Sequence, residues 1–264
     1  MVKIHIVSGF LGAGKTTLIR KLIKNIEGRK VIIENEFGEV GIDGEIIERE
    51  NYDVVEMAQG CICCSMKSDF ETTILSVIND YNPEHIVIEP TGIGMLSEIL
   101  SIFDKKEIKD RCALTLPITV VDVVDYLLQI DDFGEFFKDQ ISNAGIVVLS
   151  KTQLMENDNI DEIIKSIRSL NSSAEILTKN WDLFTELEYD ELTNIRFISN
   201  EKGINFIEEI RDITANLQSY SIKRPKEFTN ESLKAALDKL SGRECGKIIR
   251  AKGFVEGRSE ERRV

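Results

Sequence analysis

Residues 9–16 read GFLGAGKT, and their spacing, G-x-x-x-x-G-K-T, is the strongest indication of the fold in this chain. The apolar run before it, Lys3–Ser8, predicts a buried strand. The residues after it place apolar side chains at the 3.6-residue period of a one-faced helix: Leu18, Ile19, Leu22, Ile23 and Ile26. A strand that runs through a glycine-rich turn into a helix is the setting that a phosphate-binding loop requires.

This loop predicts a site for a nucleoside triphosphate. Glycine lets successive backbone N–H groups turn toward a phosphate, and the helix N-terminus adds partial positive charge there. Lys15 would bridge the outer phosphates, and the Thr16 hydroxyl would hold Mg²⁺. A glycine-rich turn beside an unrelated lysine is the alternative, and the flanking strand and helix disfavour it. The residues expected to contact the nucleotide here are Gly9, Gly12, Ala13, Gly14, Lys15, Thr16 and Thr17.

The composition is that of a soluble protein that acts in the cytoplasm. The 264 residues include 33 Lys and Arg against 46 Asp and Glu, a net charge of −13. This excess argues against nucleic acid or an anionic membrane as a general partner. We find no apolar run of the roughly 18 residues that a membrane span needs. The 5 cysteines are too clustered for a disulfide framework and suit a reducing compartment.

Apolar runs alternate with helical patterns along the chain, which predicts a mainly parallel sheet with helices on both faces. The fold class is therefore α/β, of the P-loop NTPase type. Further strands are predicted at Lys30–Glu34, Asp53–Glu56, His85–Glu89, Leu114–Val121, Ile146–Ser150, Glu175–Leu177 and Arg196–Ser199. Helices are predicted around three apolar stripes, at residues 70–81, 160–170 and 204–217.

The chain divides into a nucleotide-binding domain, residues 1–218, a linker at 219–226 and a short C-terminal segment at 227–264. The linker contains Arg224-Pro225. The last segment predicts one helix, with Leu233, Ala236, Leu237 and Leu240 on a face and Gly242 as its stop, and then a strand at Lys247–Val255. Such a segment is too small to bury a core alone, so we expect it to dock on the main domain or on a partner.

A cysteine cluster, Cys61-Ile62-Cys63-Cys64, forms the second chemical constellation. Thiolates from Cys61, Cys63 and Cys64 could reach one Zn²⁺, Co²⁺ or Ni²⁺ ion. The second Cys/His pair of a closed structural zinc site is lacking, because His5 and His85 fall in predicted strands where a core role is commoner. An exchangeable ion is therefore favoured. Buried cysteines that act as small hydrophobic residues are the alternative.

Four motifs occur in order: residues 9–17, Glu34–Asp43 (ENEFGEVGID), Gly60–Cys64 and Glu89–Gly92 (EPTG). Together they resemble the CobW family of P-loop GTPases, relatives of the nickel-insertion GTPases HypB and UreG. The similarity covers residues 1–218 and includes Asp139-Gln140-Ile141. Residues 250–253 are similar to the start of the family's C-terminal domain, which leads us to expect a shortened second domain.

The resemblance implies a metallochaperone whose metal site is gated by nucleotide and which delivers its ion to a client metalloprotein or cofactor-assembly protein. It also implies homodimer formation, and it lets Glu36 join the cysteines as a metal ligand. By itself Glu36 would be a surface acid. The residues support the same interpretation: Glu89 ends an apolar strand where a carboxylate would hold Mg²⁺, and Gly92 can offer its N–H to the γ-phosphate. A strand-end carboxylate exposed to solvent is the alternative for Glu89.

Base selectivity departs from the GTPase pattern. The usual guanine-reading Asn-Lys-x-Asp is Ser150-Lys151-Thr152-Gln153 here. Gln153 offers a neutral carbonyl oxygen in place of a carboxylate, so guanine preference should fall about tenfold or more. Lys151 can still lie along the base, and Ser199-Asn200 stands at the family's last base-contacting loop. We therefore expect GTP binding with weakened discrimination, and acceptance of ATP.

Two rival functions share the phosphate-binding loop. A P-loop small-molecule kinase would need an arginine-rich lid, which the sequence does not offer, and would leave the cysteine cluster without a role. A non-enzymatic regulator would bind nucleotide and metal to change a docking surface without useful turnover. The sequence leaves this second alternative open.

Overall fold

The structure is a computed structural model that describes residues 1–34, 53–56, 66–155, 157–195 and 230–241. Eight strands of this part form one sheet: β1 (Val2–Gly9), β2 (Lys30–Glu34), β3 (Asp53–Glu56), β4 (His85–Glu89), β5 (Cys112–Leu114), β6 (Ile118–Asp122), β7 (Ile146–Ser150) and β8 (Glu175–Leu177). Their order is β3-β2-β4-β1-β6-β7-β8, with β5 also beside β1, and each pairing is parallel. The carboxyl ends of all these strands therefore meet at one edge of the sheet.

Helices connect the strands, as parallel pairing demands. The described α-helices are α1 (Lys15–Asn25), α2 (Met66–Tyr81), α3 (Leu96–Leu100), α4 (Lys106–Lys109), α5 (Tyr126–Asp132), α6 (Gly134–Ser142), α7 (Asn157–Leu170), α8 (Glu186–Asn194) and α9 (Asn230–Ser241). Short 3₁₀ turns lie at Ser101–Asp104, Thr152–Leu154 and Trp181–Leu183. None of the helices described is long and apolar enough to cross a membrane.

The core has a layer on each face of the sheet, as predicted. Alternate side chains of a strand point to opposite faces, so β1 sends Val7 to one layer and Ile4 and Ile6 to the other. The Val7 layer is closed by the apolar stripe of α1 and by Tyr189 and Leu192 of α8. The opposite layer is closed by α2 and α3 beside β2 and β4, and by α6 and α7 beside β6 and β7.

One predicted strand, Leu114–Val121, is divided in two by the structure. β5 ends at Leu114 and β6 begins at Ile118, with both pairing along β1. Pro117 interrupts the run because proline has no N–H to donate to a neighbouring strand. Between the two strands, Thr115 stays hydrogen-bonded to β1, because its backbone N–H and its hydroxyl both donate to the carbonyl of Ile4, at 2.9 and 3.0 Å.

The other predicted elements within the described residues are confirmed. The strands at 30–34, 53–56, 85–89, 146–150 and 175–177 have the predicted bounds, and the first strand is one residue longer at each end. The stripes at 70–81 and 160–170 lie on α2 and α7, and the helix of the C-terminal segment is α9. The strands predicted at Arg196–Ser199 and Lys247–Val255, the helix at 204–217, the linker and Gly242 lie outside the described residues.

Candidate nucleotide site

The phosphate-binding loop leaves β1 at Gly9 and enters α1 at Lys15, at the centre of the carboxyl edge. Gly9, Gly12 and Gly14 have φ angles of 141°, 77° and 100°, a region that L side chains rarely adopt. Gly9 is also sterically restricted, because a methyl group there would stand 2.4 Å from the carbonyl oxygen of Val120 on β6. The loop thus requires glycine both for its backbone angles and for its packing on the neighbouring strand.

Lys15 lies inside the loop instead of reaching into solvent. Its residue is 4% exposed, its ammonium donates to the carbonyl of Phe10 at 3.3 Å, and it stands 3.8 Å from Glu89 Oε1. A buried ammonium is costly unless it is paired and hydrogen-bonded, and both conditions are met here. The ammonium of Lys15 thus lies inside the loop between the Phe10 carbonyl and the Glu89 carboxylate, and its predicted contact with the outer phosphates stays a prediction.

Thr16, in the first turn of α1, contacts Glu89, the last residue of β4. The Thr16 hydroxyl donates to the Glu89 carboxylate, with Oγ1 3.1 Å from both Oε1 and Oε2. Glu89 ends β4, which pairs with β1, and is 7% exposed. A hydroxyl and a buried carboxylate are the hard oxygen ligands that Mg²⁺ prefers, so these two residues fit that ion.

The segment after Glu89 packs directly on the phosphate-binding loop. A methyl group on Gly92 would stand 2.7 Å from the backbone nitrogen of Leu11. Gln140, buried on α6, donates through its side-chain amide to the carbonyls of Gly92 and Gly94, at 3.1 and 2.9 Å. Sequence reasoning singled out Gln140 for family resemblance only, because a contact between residues 48 positions apart leaves no local pattern.

Asp139, the neighbour of Gln140, holds the other end of the same segment. Its Oδ2 accepts from the backbone N–H of Ser97 at the start of α3, at 3.1 Å, and its Oδ1 accepts from Asn143 at 3.0 Å. Burial raises the pKa of the Asp139 carboxyl, and the hydrogen bonds from Ser97 oppose this shift in part. α6 therefore contributes two adjacent anchors to the turn that follows β4.

The residues predicted to contact the base directly follow β7. Lys151 follows Ser150 with a left-handed backbone, φ 60°, and forms a salt bridge with the buried carboxylate of Asp122 at the end of β6. Gln153 is exposed in the next 3₁₀ turn. Asp122 was missed by sequence reasoning, although the signal was present: an acid that ends an apolar strand, as Glu89 does.

The loop after β8 also reaches the phosphate-binding loop. The Trp181 ring atom Cη2 stands 3.1 Å from the position that a methyl group on Gly14 would take. The Tyr189 hydroxyl donates to the backbone carbonyl of Trp181 at 2.7 Å. Next to Trp181, Asp182 forms a salt bridge with Lys21 of α1 at 2.7 Å. This indole was not predicted to lie at the site, since only the order of the strands brings it there.

The predicted transition-metal ligands Cys61, Cys63, Cys64 and Glu36 lie outside the described residues, as do Ser199 and Asn200. Within the described ranges, no group of three His, Cys, Asp or Glu side chains could hold a metal ion. His5 and His85 instead hydrogen-bond to each other in the sheet, Nε2 to Nδ1 at 2.9 Å, in keeping with their expected core role.

Comparison with known proteins agrees with this geometry. Residues 3–178 match the family model described as CobW/HypB/UreG, nucleotide-binding domain. The chain belongs to the CobW/HypB/UreG family. The match includes nearly all of β1, the phosphate-binding loop, Glu89, Gly92, Lys151 and β8, and it ends before Trp181.

Relatives of this CobW/HypB/UreG chain include the zinc chaperone CobW of Sinorhizobium sp, 32% identical over 196 residues, 63% of this chain and 55% of that protein. The zinc chaperone YjiA of Escherichia coli is 30% identical over 184 residues, 67% of this chain and 57% of that protein. The chain thus spans little more than half the length of these relatives. The crystal structure of Zn(II)-bound YjiA GTPase from E. coli aligns with a TM-score of 0.51 at 20% identity, over 98% of this chain and 83% of that one. This last likeness shows the shared fold.

Proposed function

We propose that this chain binds and slowly hydrolyses GTP, accepts ATP, and couples the nucleotide to the binding and release of a divalent transition metal. The ion would be Zn²⁺, Co²⁺ or Ni²⁺, held as cargo by Cys61, Cys63, Cys64 and Glu36. The main support for the proposal is the position of β2, which ends beside Glu89 and is followed in the sequence by the rest of the Glu34–Asp43 motif, here called the Glu36 segment.

The chemistry of hydrolysis would take place around Lys15, Thr16 and Glu89. Lys15 would neutralise charge on the outer phosphates from its buried position, and the loop N–H groups would hold the β-phosphate. Thr16 and Glu89 would hold Mg²⁺, which would add positive charge beside the diphosphate leaving group. Gly92 would offer its N–H to the γ-phosphate, so the segment after β4 would respond to the loss of that group.

Chain connectivity supports a link between the nucleotide site and Glu36, one of the proposed ligands of the transition metal. Glu34 ends β2 in register with Glu89, and Glu36 is two residues further along. A chain advances at most about 3.6 Å per residue, so the α-carbon of Glu36 is tethered within about 7 Å of that of Glu34. This tether supports the proposal that Glu36 would act close to Glu89, the residue that would hold Mg²⁺.

The described elements on either side of the cysteine cluster support a position for it in the same region. β3 ends at Glu56, in register with Glu34, five residues before Cys61, and α2 begins at Met66, two residues after Cys64. Triphosphate binding would order the Glu36 segment and set its distance from the thiolates. Hydrolysis would then relax that segment, weaken the metal site and release the ion.

The relatives support zinc as one cargo, because the CobW and YjiA proteins are named zinc chaperones. We propose that the recipient is a client metalloprotein or a cofactor-assembly protein, that the chain can form a homodimer, and that it acts in the cytoplasm, where thiolates stay reduced. We further propose that Gln153 in the place of the guanine-reading aspartate permits both GTP and ATP.

A metal titration of the purified protein, with and without a non-hydrolysable GTP analogue, tests the coupling. We expect the affinity for Zn²⁺, Co²⁺ or Ni²⁺ to rise at least tenfold when the analogue is bound, and the analogue to bind correspondingly tighter with metal. Equal metal affinity in the two states would mean that the coupling free energy is zero and would overturn the proposal.

Two cysteine variants separate the metal site from general effects on the protein. Cys63→Ala should abolish the metal dependence of nucleotide affinity and of phosphate release. Cys112→Ala is the matched control, because Cys112 lies buried in β5 and burial raises the pKa of its thiol to about 11, which disfavours the thiolate. A rate of phosphate release that is unchanged by Zn²⁺, Co²⁺ and Ni²⁺, both in the wild type and in Cys63→Ala, would contradict metal gating.

A further inference from the structure

We infer that Gln140 is the positioning residue that aligns Gly92 with the third phosphate, so that α6 sets how well this protein distinguishes triphosphate from diphosphate. The inference rests on the proposed function and adds to it a residue that touches neither nucleotide nor metal in that proposal. Its basis is a closed ring of contacts between the phosphate-binding loop and α6.

The first half of the ring joins α6 to the central sheet. The carbonyl of Gln140 accepts from the hydroxyl of Thr119 at 2.8 Å. Thr119 lies on β6 in register with Ser8 of β1, the residue directly before Gly9. The backbone of α6 at this point is therefore fixed relative to the strand that leads into the phosphate-binding loop.

The second half joins α6 to the turn after β4. The Gln140 side chain, fully buried, donates its two amide hydrogens to the carbonyls of Gly92 and Gly94, at 3.1 and 2.9 Å. The reverse orientation of the amide would set its carbonyl oxygen against two others, so these partners fix the group. Holding the Gly92 carbonyl limits rotation about the backbone of Gly92, and glycine is the residue with most rotation to lose.

Gly92 in turn closes the ring on the phosphate-binding loop. It packs so tightly on Leu11 that a methyl group in its place would stand 2.7 Å from the Leu11 nitrogen. The far end of the turn is also held, because Asp139 accepts from the N–H of Ser97 at 3.1 Å. A turn fixed at both ends presents the Gly92 N–H in one direction, which preorganises it for a phosphate oxygen.

The test compares the affinities of Gln140→Met for GDP and for a non-hydrolysable GTP analogue, each with Mg²⁺. Methionine has the length of glutamine without its donors. We expect GDP affinity within twofold of wild type, analogue affinity about tenfold weaker, and kcat for GTP hydrolysis at least tenfold lower. Gln129→Met is the matched control, because Gln129 is another buried glutamine, on α5, and should leave both affinities unchanged.

Gln140→Glu provides a second variant of native shape. Between two carbonyls in a buried site the carboxyl should stay protonated and donate one hydrogen bond, so its analogue affinity should lie between those of wild type and Gln140→Met. Equal losses for GDP and analogue, or no loss for either, would overturn the inference. A wild-type protein that fails to bind or hydrolyse GTP would overturn the proposed function itself, which the wild-type titration reveals before any variant is made.

Discussion

At the scale of single residues, the pair of Lys151 and Asp122 is the contact most open to test. The Asp122 carboxylate is buried and also accepts from the backbone N–H of Val124 at 3.0 Å, so it holds Lys151 from a fixed position. Lys151 has a left-handed backbone, which is strained for a residue other than glycine and is in keeping with the proposal that its side chain lies along the base. We expect the pair to position the lysine for any nucleotide, whatever its phosphate number.

Asp122→Asn should weaken GDP and GTP binding equally, by about fivefold to tenfold. Asparagine keeps an oxygen for the Val124 N–H but removes the charge that holds Lys151. Competition titrations against a labelled nucleotide give both affinities. Asp125→Asn, a nearby change at an exposed aspartate, serves as the control. A loss confined to GTP would place Asp122 on the phosphate side and contradict this assignment.

Gln153→Asp should raise the preference for GTP over ATP about tenfold while leaving ATP affinity near wild type. A carboxylate that accepts from guanine contributes about 1.5–3 kcal/mol, against about 0.5–1.5 for a neutral acceptor. The exposed position of residue 153 leaves room for the change. Gln153→Glu carries the same charge on a longer side chain and separates charge from reach. Unchanged selectivity in Gln153→Asp would show that another residue reads the base.

The predictability of the site residues follows from how far apart they lie in the chain. Lys15, Thr16 and the glycines could be predicted because all of them belong to one motif of eight consecutive residues, 9–16. Glu89 could be predicted because it ends an apolar strand. Gln140 could not be assigned a role, since its partners belong to a turn 46 and 48 positions away and only the folded sheet joins them.

At the scale of elements, the phosphate-binding loop differs in tolerance along its length. A methyl group on Gly9 would stand 2.4 Å from the Val120 carbonyl oxygen, whereas a methyl group on Gly12 would have no neighbour within 4 Å. Both have positive φ angles, 141° and 77°. The two glycines thus share a backbone requirement, and only Gly9 adds a steric one.

Gly9→Ala should lower the free energy of unfolding by about 3 kcal/mol or more, because backbone strain and overpacking add. Gly12→Ala is the paired control and should cost only about 1 kcal/mol, the strain alone. Urea denaturation of the nucleotide-free proteins measures both. Equal losses would show that the contact with β6 relaxes without cost.

The elements themselves were largely predictable, because strands buried on both faces are short apolar runs and their helices carry clear stripes. The exception is the run Leu114–Val121, which reads as one strand but forms two. Its signal was Pro117, whose missing N–H cannot serve a parallel neighbour. The order of the strands is set by the packing of the crossover helices on the sheet, so the local sequence does not reveal it.

At the scale of the whole molecule, a pair of hydrogen-bonded histidines in the sheet, of which His5 is buried and His85 half-buried, makes stability depend on pH. The Thr115 hydroxyl donates to the Ile4 carbonyl and so accepts from Nδ1–H of His5, which leaves Nε2 of His5 to accept from Nδ1–H of His85. Burial, and then His85 and Lys3, lower the pKa of His5 from 6.5 to about 3. The folded protein therefore keeps His5 neutral where the unfolded chain takes up a proton.

Since the unfolded state binds the additional proton between pH 6.5 and 3, the free energy of unfolding should fall as the pH is lowered through that window. We expect His5 to contribute a slope of about 1 kcal/mol per pH unit, and His5→Gln to lose it. Urea denaturation at pH 7, 6 and 5 gives the slope. Nuclear magnetic resonance titration of the 2 histidines checks the cause, and an ordinary pKa for His5 would contradict it.

The contact between Trp181 and Gly14 provides an optical probe of the site. The chain contains 1 tryptophan, and its ring lies against the residue that opens α1. Nucleotide binding should therefore change the intrinsic fluorescence of the protein, and the signal should saturate with the calorimetric Kd. Lys15→Ala should lose the response. An emission spectrum that stays constant through a titration in which calorimetry records binding would show that the indole does not sense the phosphates.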